Sequence, residues 1–164
     1  KLMNNRSKES WFYQQVELGF NYRMTEIQAA LGISQMKRLD EFISKRHKCK
    51  ELYDELLNDL PLIKPFASSY CFSSVHLYPI QLDLNIISKS RSQIFSELRK
   101  NNIGVNVHYI PIHTQPYYRN LNFEEGDFPN AEAYYKRAIS LPLNHAMSQE
   151  QQKTVVCELK NSIQ

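Results

Sequence analysis

The chain has 164 residues, 42% of them hydrophobic and 23% charged, enough for one substantial core or a core with a trailing arm, so a single domain is the default. Its net charge of +3 comes from 20 basic and 17 acidic residues interspersed along the sequence, a mild bias towards anionic ligands that falls short of a nucleic-acid signature. No apolar run approaches the ~18 residues that span a bilayer and no apolar signal region follows the basic start, while Cys49, Cys71 and Cys157 are too scattered for a disulfide framework or a zinc site; a soluble protein of the reducing cytoplasm is expected.

Residues 1–15 are polar, carry an isolated Trp11-Phe12-Tyr13 cluster, show neither a helical nor a strand period and begin without Met. They read as the interior of a longer polypeptide. Thr25-Glu26-Ile27-Gln28 is a capping box that opens the first helix, with Ile27, Ala30 and Leu31 on one face. Gly32 weakens that helix, and Asp40 offers a second N-cap. From Leu39, the apolar positions Phe42, Ile43, Cys49, Leu52, Tyr53, Leu56 and Leu57 recur every three or four residues opposite a charged face, which predicts a long amphipathic helix ended by Pro61.

Residues 61–73 read as a loop from their prolines and serines. Residues 75–82 predict a strand, with Pro79 favouring an edge or a bulge because it lacks a ladder donor. Ser90 or Ser92 caps a helix carrying Ile94, Phe95 and Leu98 that stops at Asn101-Asn102. Residues 104–109 alternate like a second strand, ended by Pro111. Residues 116–126 read as a short helical turn and a loop, and Pro129 and Asn130 start a helix through Arg137. Ile139-Ser140-Leu141 reads as a third strand. Ser148 and Gln151 form another capping box, opening a last helix with Val155, Val156, Leu159 and Ile163 on one side. This order predicts an α+β fold, a small antiparallel sheet covered by helices.

Two stretches hold the residues suited to chemistry. In residues 107–118, His108, Tyr109, His113, Gln115, Tyr117 and Tyr118 gather where a strand ends and the chain turns, a common place for ligand contacts. A strand edge with packed aromatics and solvated histidines fits the same composition. His108 and His113 match no zinc template, since two prolines fall within the stretch and no third ligand stands at helical spacing. His47 lies on the charged face of the long helix, where solvation is expected, and His76 and His145 have no partner in sequence. In residues 19–25, Gly19, Asn21 and Arg23 precede a helix N-terminus, a place that suits anions; a structured loop satisfying its own backbone fits them equally.

Residues 25–46 also carry a loose helix-turn-helix pattern, with Gly32 at the turn, and so admit a DNA-binding or interaction module. The apolar stripe that runs on to Leu57 argues against it, because a recognition helix exposes polar residues and then stops.

Three blocks in order carry a family resemblance: Gly19-Phe20-Asn21-Tyr22-Arg23-Met24-Thr25-Glu26-Ile27-Gln28-Ala29-Ala30-Leu31-Gly32, then Val107-His108-Tyr109-Ile110-Pro111-Ile112-His113-Thr114-Gln115-Pro116-Tyr117-Tyr118, then Phe128-Pro129-Asn130-Ala131-Glu132 followed by Ile139-Ser140-Leu141-Pro142-Leu143. They resemble segments of the DegT/DnrJ/EryC1/StrS sugar aminotransferases. Residues 106–118 and 128–143 are most similar to the members that aminate a UDP-linked 4-keto-6-deoxy amino sugar in pseudaminic acid biosynthesis.

The resemblance implies the small C-terminal domain of a fold type I aminotransferase, over residues 25–164, preceded in residues 1–24 by a remnant of the large domain and its linking loop. It further implies a homodimer with shared active sites, in which pyridoxal phosphate carries an amino group from glutamate to a 4-keto nucleotide sugar. By match to the family, Asn21 contacts cofactor and substrate across the subunit boundary, Asn106, Val107, His108 and Tyr109 contact the nucleotide sugar, and His113 belongs to the same pocket. Arg23 matches a basic position that serves either the loop or the ligand. The family's Ser-Phe…Lys…Gly-Glu-Gly-Gly block has no counterpart, for the chain's glycines are only Gly19, Gly32, Gly104 and Gly126. No catalytic residue is therefore assigned, the cofactor is not expected to be covalently bound, and the chain by itself is expected to be inactive. Neither a metal, a nucleic acid nor a membrane is an expected partner.

Overall fold

In the computed structural model, residues 19–20 and 22–164 are described, together with the backbone of Met3–Asn4 and Gln14–Gln15. Asn21 and the Trp11-Phe12-Tyr13 cluster lie outside the described residues. The chain divides into two compact units, Lys1–Arg38 and Leu39–Gln164.

In the first unit, β1 (Met3–Asn4) pairs antiparallel with β2 (Gln14–Gln15). No strand was expected there, and two residues are too few to display a period of two. Helix α1 (Glu26–Met36) opens on the predicted capping box: the Gln28 amide donates to Thr25 Oγ1 at 3.3 Å and the Thr25 amide to Gln28 Oε1 at 2.9 Å. Gly32 does not interrupt it. None of its residues is buried, and Ile27 remains 83% exposed.

The second unit holds the core. Helix α2 (Leu39–Leu56) begins one residue before Asp40, so Asp40 is a first-turn acid facing the positive end of the helix rather than its N-cap. The inward positions Cys49 and Tyr53 are buried, as is Leu57 just beyond the helix. The sheet orders β3 (Leu62–Ile63), β4 (Tyr78–Leu82) and β5 (Ala138–Leu141), all antiparallel, with Leu62 opposite Leu82 and Ile80 opposite Ile139. Tyr78, Ile80 and Leu82 point into the core at alternate positions.

Three expectations change here. First, β3 falls in the stretch read as a loop, since two residues beside Pro61 give no pattern. Second, β4 is the central strand despite Pro79. The register explains this: Pro79 faces Ser140, whose N–H and C=O both bond Asn106 at 2.8 and 3.2 Å. The Pro79–Ser140 pair therefore exchanges no ladder hydrogen bonds, and on the other side β3 ends opposite Gln81. A missing donor costs nothing at that position. Third, residues 104–109 form no strand but a single bridge, Asn106 to Ser140. The Asn106 side chain accepts from the Val107 amide at 2.8 Å, a local bond that competes with further pairing.

Helix α3 (Arg91–Lys100) is capped by Ser90 with Gln93, and α6 (Gln149–Ile163) by Ser148 with Gln151. Between them lie a 3-10 turn (Ile112–Thr114), α4 (Pro116–Arg119) and α5 (Pro129–Arg137). Tyr53, Ile94, Leu98, Val155, Val156 and Leu159 from the helices meet the sheet residues in one cluster, each fully buried large side chain stabilising the fold by about 1.5–3 kcal/mol. Polar ties fix the layers: Gln152 Nε2 donates to Cys49 O at 2.7 Å, Tyr53 Oη to Pro142 O at 2.8 Å, and Tyr78 Oη to Asp54 Oδ1 at 2.6 Å, with Lys50 ion-paired to the same carboxylate. The α+β class and the helix-covered antiparallel sheet are as expected.

Candidate functional site

The site grows from one polar residue in a buried strand. All four residues of β5 are buried, Ser140 at 4% exposure, and a hydroxyl there must find a partner. Its Oγ lies 2.8 Å from His108 Nδ1, while Asn106 Nδ2 lies 3.4 Å from His108 Nε2. Because Asn106 Oδ1 is taken by the Val107 amide, its amide nitrogen faces the imidazole as a donor. Nε2 then accepts, and Nδ1 carries the hydrogen given to Ser140. Asn106 and His108 are thus locked onto the free edge of β5, with Val107 half-buried between them.

That lock aims the next residue outward. Tyr109 is 71% exposed, its ring edge-on to His108 at 4.6 Å between centroids. The chain then runs through buried Pro111 into the 3-10 turn, which turns His113 inward to 6% exposure. His113 Nε2 meets Glu132 Oε1 at 2.8 Å, and its ring lies 4.8 Å from that of Phe128. Glu132 Oε1 also accepts the Gly126 amide at 2.7 Å. That amide, and secondarily His113, holds the Glu132 carboxyl below the usual carboxylate range. Gly126 sits at φ +101°, a conformation that favours glycine in the turn between α4 and α5.

Around these residues opens a cavity of about 470 Å³ lined by Tyr109, Pro111, His113, Tyr118, Phe123 and Phe128 among others. Its walls are almost wholly apolar and mostly aromatic. Tyr118 and Phe123 meet edge to face at 6.4 Å, and Phe123 lies 6.3 Å from Phe128. Such a cavity suits a flat or partly apolar ring held by stacking, and the polar Asn106–His108 pair adjoins it through Tyr109, the lining residue against which His108 packs.

Of the residues expected at the site, the structure brings Tyr109 and His113 onto one cavity and joins Asn106 to His108 through Ser140. The two histidines go to different partners, and among the described residues no group of three or more His, Cys, Asp or Glu side chains gathers. Arg23 is exposed at the entry to α1. His47 is not simply solvated: its Nε2 lies 2.8 Å from Ser73 O and its ring stacks on Phe72 at 5.0 Å. Glu132, Ser140, Phe123 and Phe128 acquire roles that sequence reasoning did not assign. Ser140 alone carried a signal, as a hydroxyl between apolar strand residues.

The cavity does not by itself suit pyridoxal phosphate. No lysine lines it, and Glu132, the carboxylate bonded to its wall residue His113, is already engaged by that imidazole and by the Gly126 amide. Lys50 borders a separate groove and is held by Asp54.

The model of the DegT/DnrJ/EryC1/StrS aminotransferase family matches residues 2–160. The chain belongs to that family. It is 39% identical over 153 residues to the spore coat polysaccharide biosynthesis protein SpsC of Bacillus subtilis, covering 92% of this chain and 39% of SpsC. It is 35% identical over 149 residues to the UDP-4-amino-4,6-dideoxy-N-acetyl-beta-L-altrosamine transaminase of Campylobacter jejuni, covering 90% of this chain and 39% of that enzyme. Among solved structures, Helicobacter pylori PseC, an aminotransferase involved in the biosynthesis of pseudoaminic acid, superposes with a TM-score of 0.83 at 29% identity, over 99% of this chain and 43% of PseC. The putative sugar aminotransferase Spr1654 of Streptococcus pneumoniae, in its PMP form, gives 0.84 at 29% identity, over 93% and 38%. The chain thus spans about two fifths of the length of these DegT/DnrJ/EryC1/StrS relatives.

Proposed function

We propose that this chain is the C-terminal portion of a cytoplasmic, pyridoxal-phosphate-dependent aminotransferase that moves an amino group from glutamate to a UDP-linked 4-keto-6-deoxy sugar of the pseudaminic acid pathway. Its own contribution is one wall of the nucleotide-sugar site. The observation that carries this is the lock of His108 on Ser140 beside Tyr109, an exposed residue in the wall of an aromatic cavity. Asn106, Val107 and His108 offer the polar edge for the sugar nucleotide, and Tyr109 with the cavity offers the stacking surface for its flat ring. Asn21 is proposed to complete the site from the other subunit of a homodimer, next to cofactor and substrate. The exposed apolar residues Ile27, Leu31, Ile33 and Met36 of α1 support a subunit contact, since a second copy would take them out of water.

When bound, the cofactor would carry the amino group between donor and acceptor, its ring serving as the sink for the electron pair freed on deprotonation. The residues of this chain bind and orient the acceptor, and the Schiff-base lysine must come from elsewhere. Titration of the chain with UDP, followed by tyrosine fluorescence, tests the reading. Saturable binding that weakens on Tyr109→Ala and His108→Ala is expected, without amino transfer from glutamate. Binding that is indifferent to both substitutions, or amino transfer by the chain alone, would overturn it.

A further inference from the structure

Residues 120–128, between α4 and α5, supply two aromatic walls of the cavity without regular secondary structure of their own. Their described side-chain ties are few. Arg119 pairs with Glu125 at 3.0 Å, but both are mostly exposed, and such pairs contribute little. Asp127 accepts from the Glu124 amide at 2.8 Å, within the turn itself. One tie reaches beyond the turn into a half-buried setting: Glu132 Oε1, on the first turn of α5, takes both the Gly126 amide and the His113 imidazole.

We infer that Glu132 is the positioning residue of the nucleotide-sugar pocket, its single oxygen fastening the 3-10 turn and the 120–128 turn together so that Phe123 and Phe128 stand at stacking distance. This rests on the substrate reading above and deepens it. An acid at this place would gain from the helix N-terminus wherever its side chain pointed, but a purely helical role needs no second partner. The oxygen spans two segments, six residues back to Gly126 and nineteen back to His113. It also explains the buried imidazole: His113 lines the cavity with its ring tilted against Phe128, and its Nε2 is satisfied inside the fold rather than offered to a ligand. His113 is accordingly part of the wall's support, and Tyr109 the residue that meets the ligand.

The test compares Glu132→Ala with Glu132→Gln in the full chain, by amide hydrogen exchange at Gly126 and by UDP titration. For the Ala variant, exchange at Gly126 about tenfold faster and UDP affinity about tenfold weaker are expected, the scale of one charge-assisted hydrogen bond, with the core amides of Ile94 and Leu98 unchanged. The Gln variant keeps a neutral acceptor and should recover most of both effects. Undiminished UDP binding by the Ala variant, an unchanged Gly126, or core amides that accelerate in step with it would each overturn the inference. Failure of the substrate reading looks different: the unsubstituted chain then binds no UDP, and Gly126 exchange in the free chain still decides whether Glu132 holds the turn.

Discussion

Ser140 Oγ and His108 Nδ1 lie 2.8 Å apart although 32 positions separate them in sequence, and this bond couples the last strand of the sheet to the orientation of Tyr109. Replacing Ser140 by Ala leaves His108 Nδ1 facing an apolar methyl. A loss of about 1 kcal/mol in urea unfolding is expected, the scale of one neutral hydrogen bond. UDP affinity should fall alongside it, because His108 loses the bond that fixes its plane. Ser140→Thr, which keeps the hydroxyl, should retain binding better than Ala. Equal UDP affinity for Ser140→Ala and the parent chain would remove the bond from any role at the site.

A second prediction concerns alkaline pH. Burial pushes the Tyr53 and Tyr78 phenols above their ordinary value of 10.0, and at Tyr78 the hydrogen bond to Asp54 adds to it. With folded pKa values above unfolded ones, the neutral phenols stabilise the fold fully below pH 10. Above it the unfolded chain sheds protons that the folded chain retains, so stability falls as pH rises towards the folded values. Tyr78→Phe should flatten that decline while costing about 1–3 kcal/mol at neutral pH, because Asp54 loses one of its partners. Unfolding free energies measured between pH 8 and about 11 decide this: parallel curves for the two proteins would show that Tyr78 does not titrate as its surroundings require.

What the sequence disclosed depended on whether a signal was local. The capping boxes at Thr25 and Ser148 could be read because each lies within four residues, and the face of α2 because its period persists over five turns. Residues 104–109 misled because their alternation is genuine, with Val105 buried, yet pairing also requires a neighbour in register and an uncommitted backbone. Asn106 spends its carbonyl side chain on Val107. Pro79 misled for the converse reason: its missing donor matters only when the register aims it at a partner. At the candidate site, His108 and Tyr109 stand out by residue type where a strand is expected to end, whereas Asn106 enters only through the family resemblance. The bonds that organise the cavity wall, Ser140 to His108 and Glu132 to His113, join residues 32 and 19 positions apart and leave no periodic trace.

The packing of α3 gives a third prediction. Leu98 is fully buried in the cluster shared by α3, α6 and the sheet. Leu98→Ala removes its contacts and leaves a cavity, so a loss of about 2–5 kcal/mol is expected in urea or thermal unfolding. Phe95, only partly buried against the same cluster, should cost less when truncated to Ala even though more atoms are removed. The reverse order would mean that α3 turns a different face to the core.

The chain also provides an internal comparison of one motif in two settings. Thr25 with Gln28 and Ser148 with Gln151 make capping boxes of the same bonding pattern, so local energetics alone predicts the same penalty, about 1 kcal/mol, for truncating either cap to Ala. The helices they start differ. α6 buries Gln152, Val155, Val156, Leu159 and Ser162, whereas α1 buries none of its residues. Fraying at Ser148 therefore loosens residues that hold the core, and Ser148→Ala should lower the unfolding midpoint of the whole second unit. Thr25→Ala should leave that midpoint unchanged and reduce only the local exchange protection of the amides at the start of α1. If both variants shifted the core midpoint equally, loss of the Thr25 cap would not be confined to the start of α1 and the difference in burial between the two helices would not govern the cost of losing a cap.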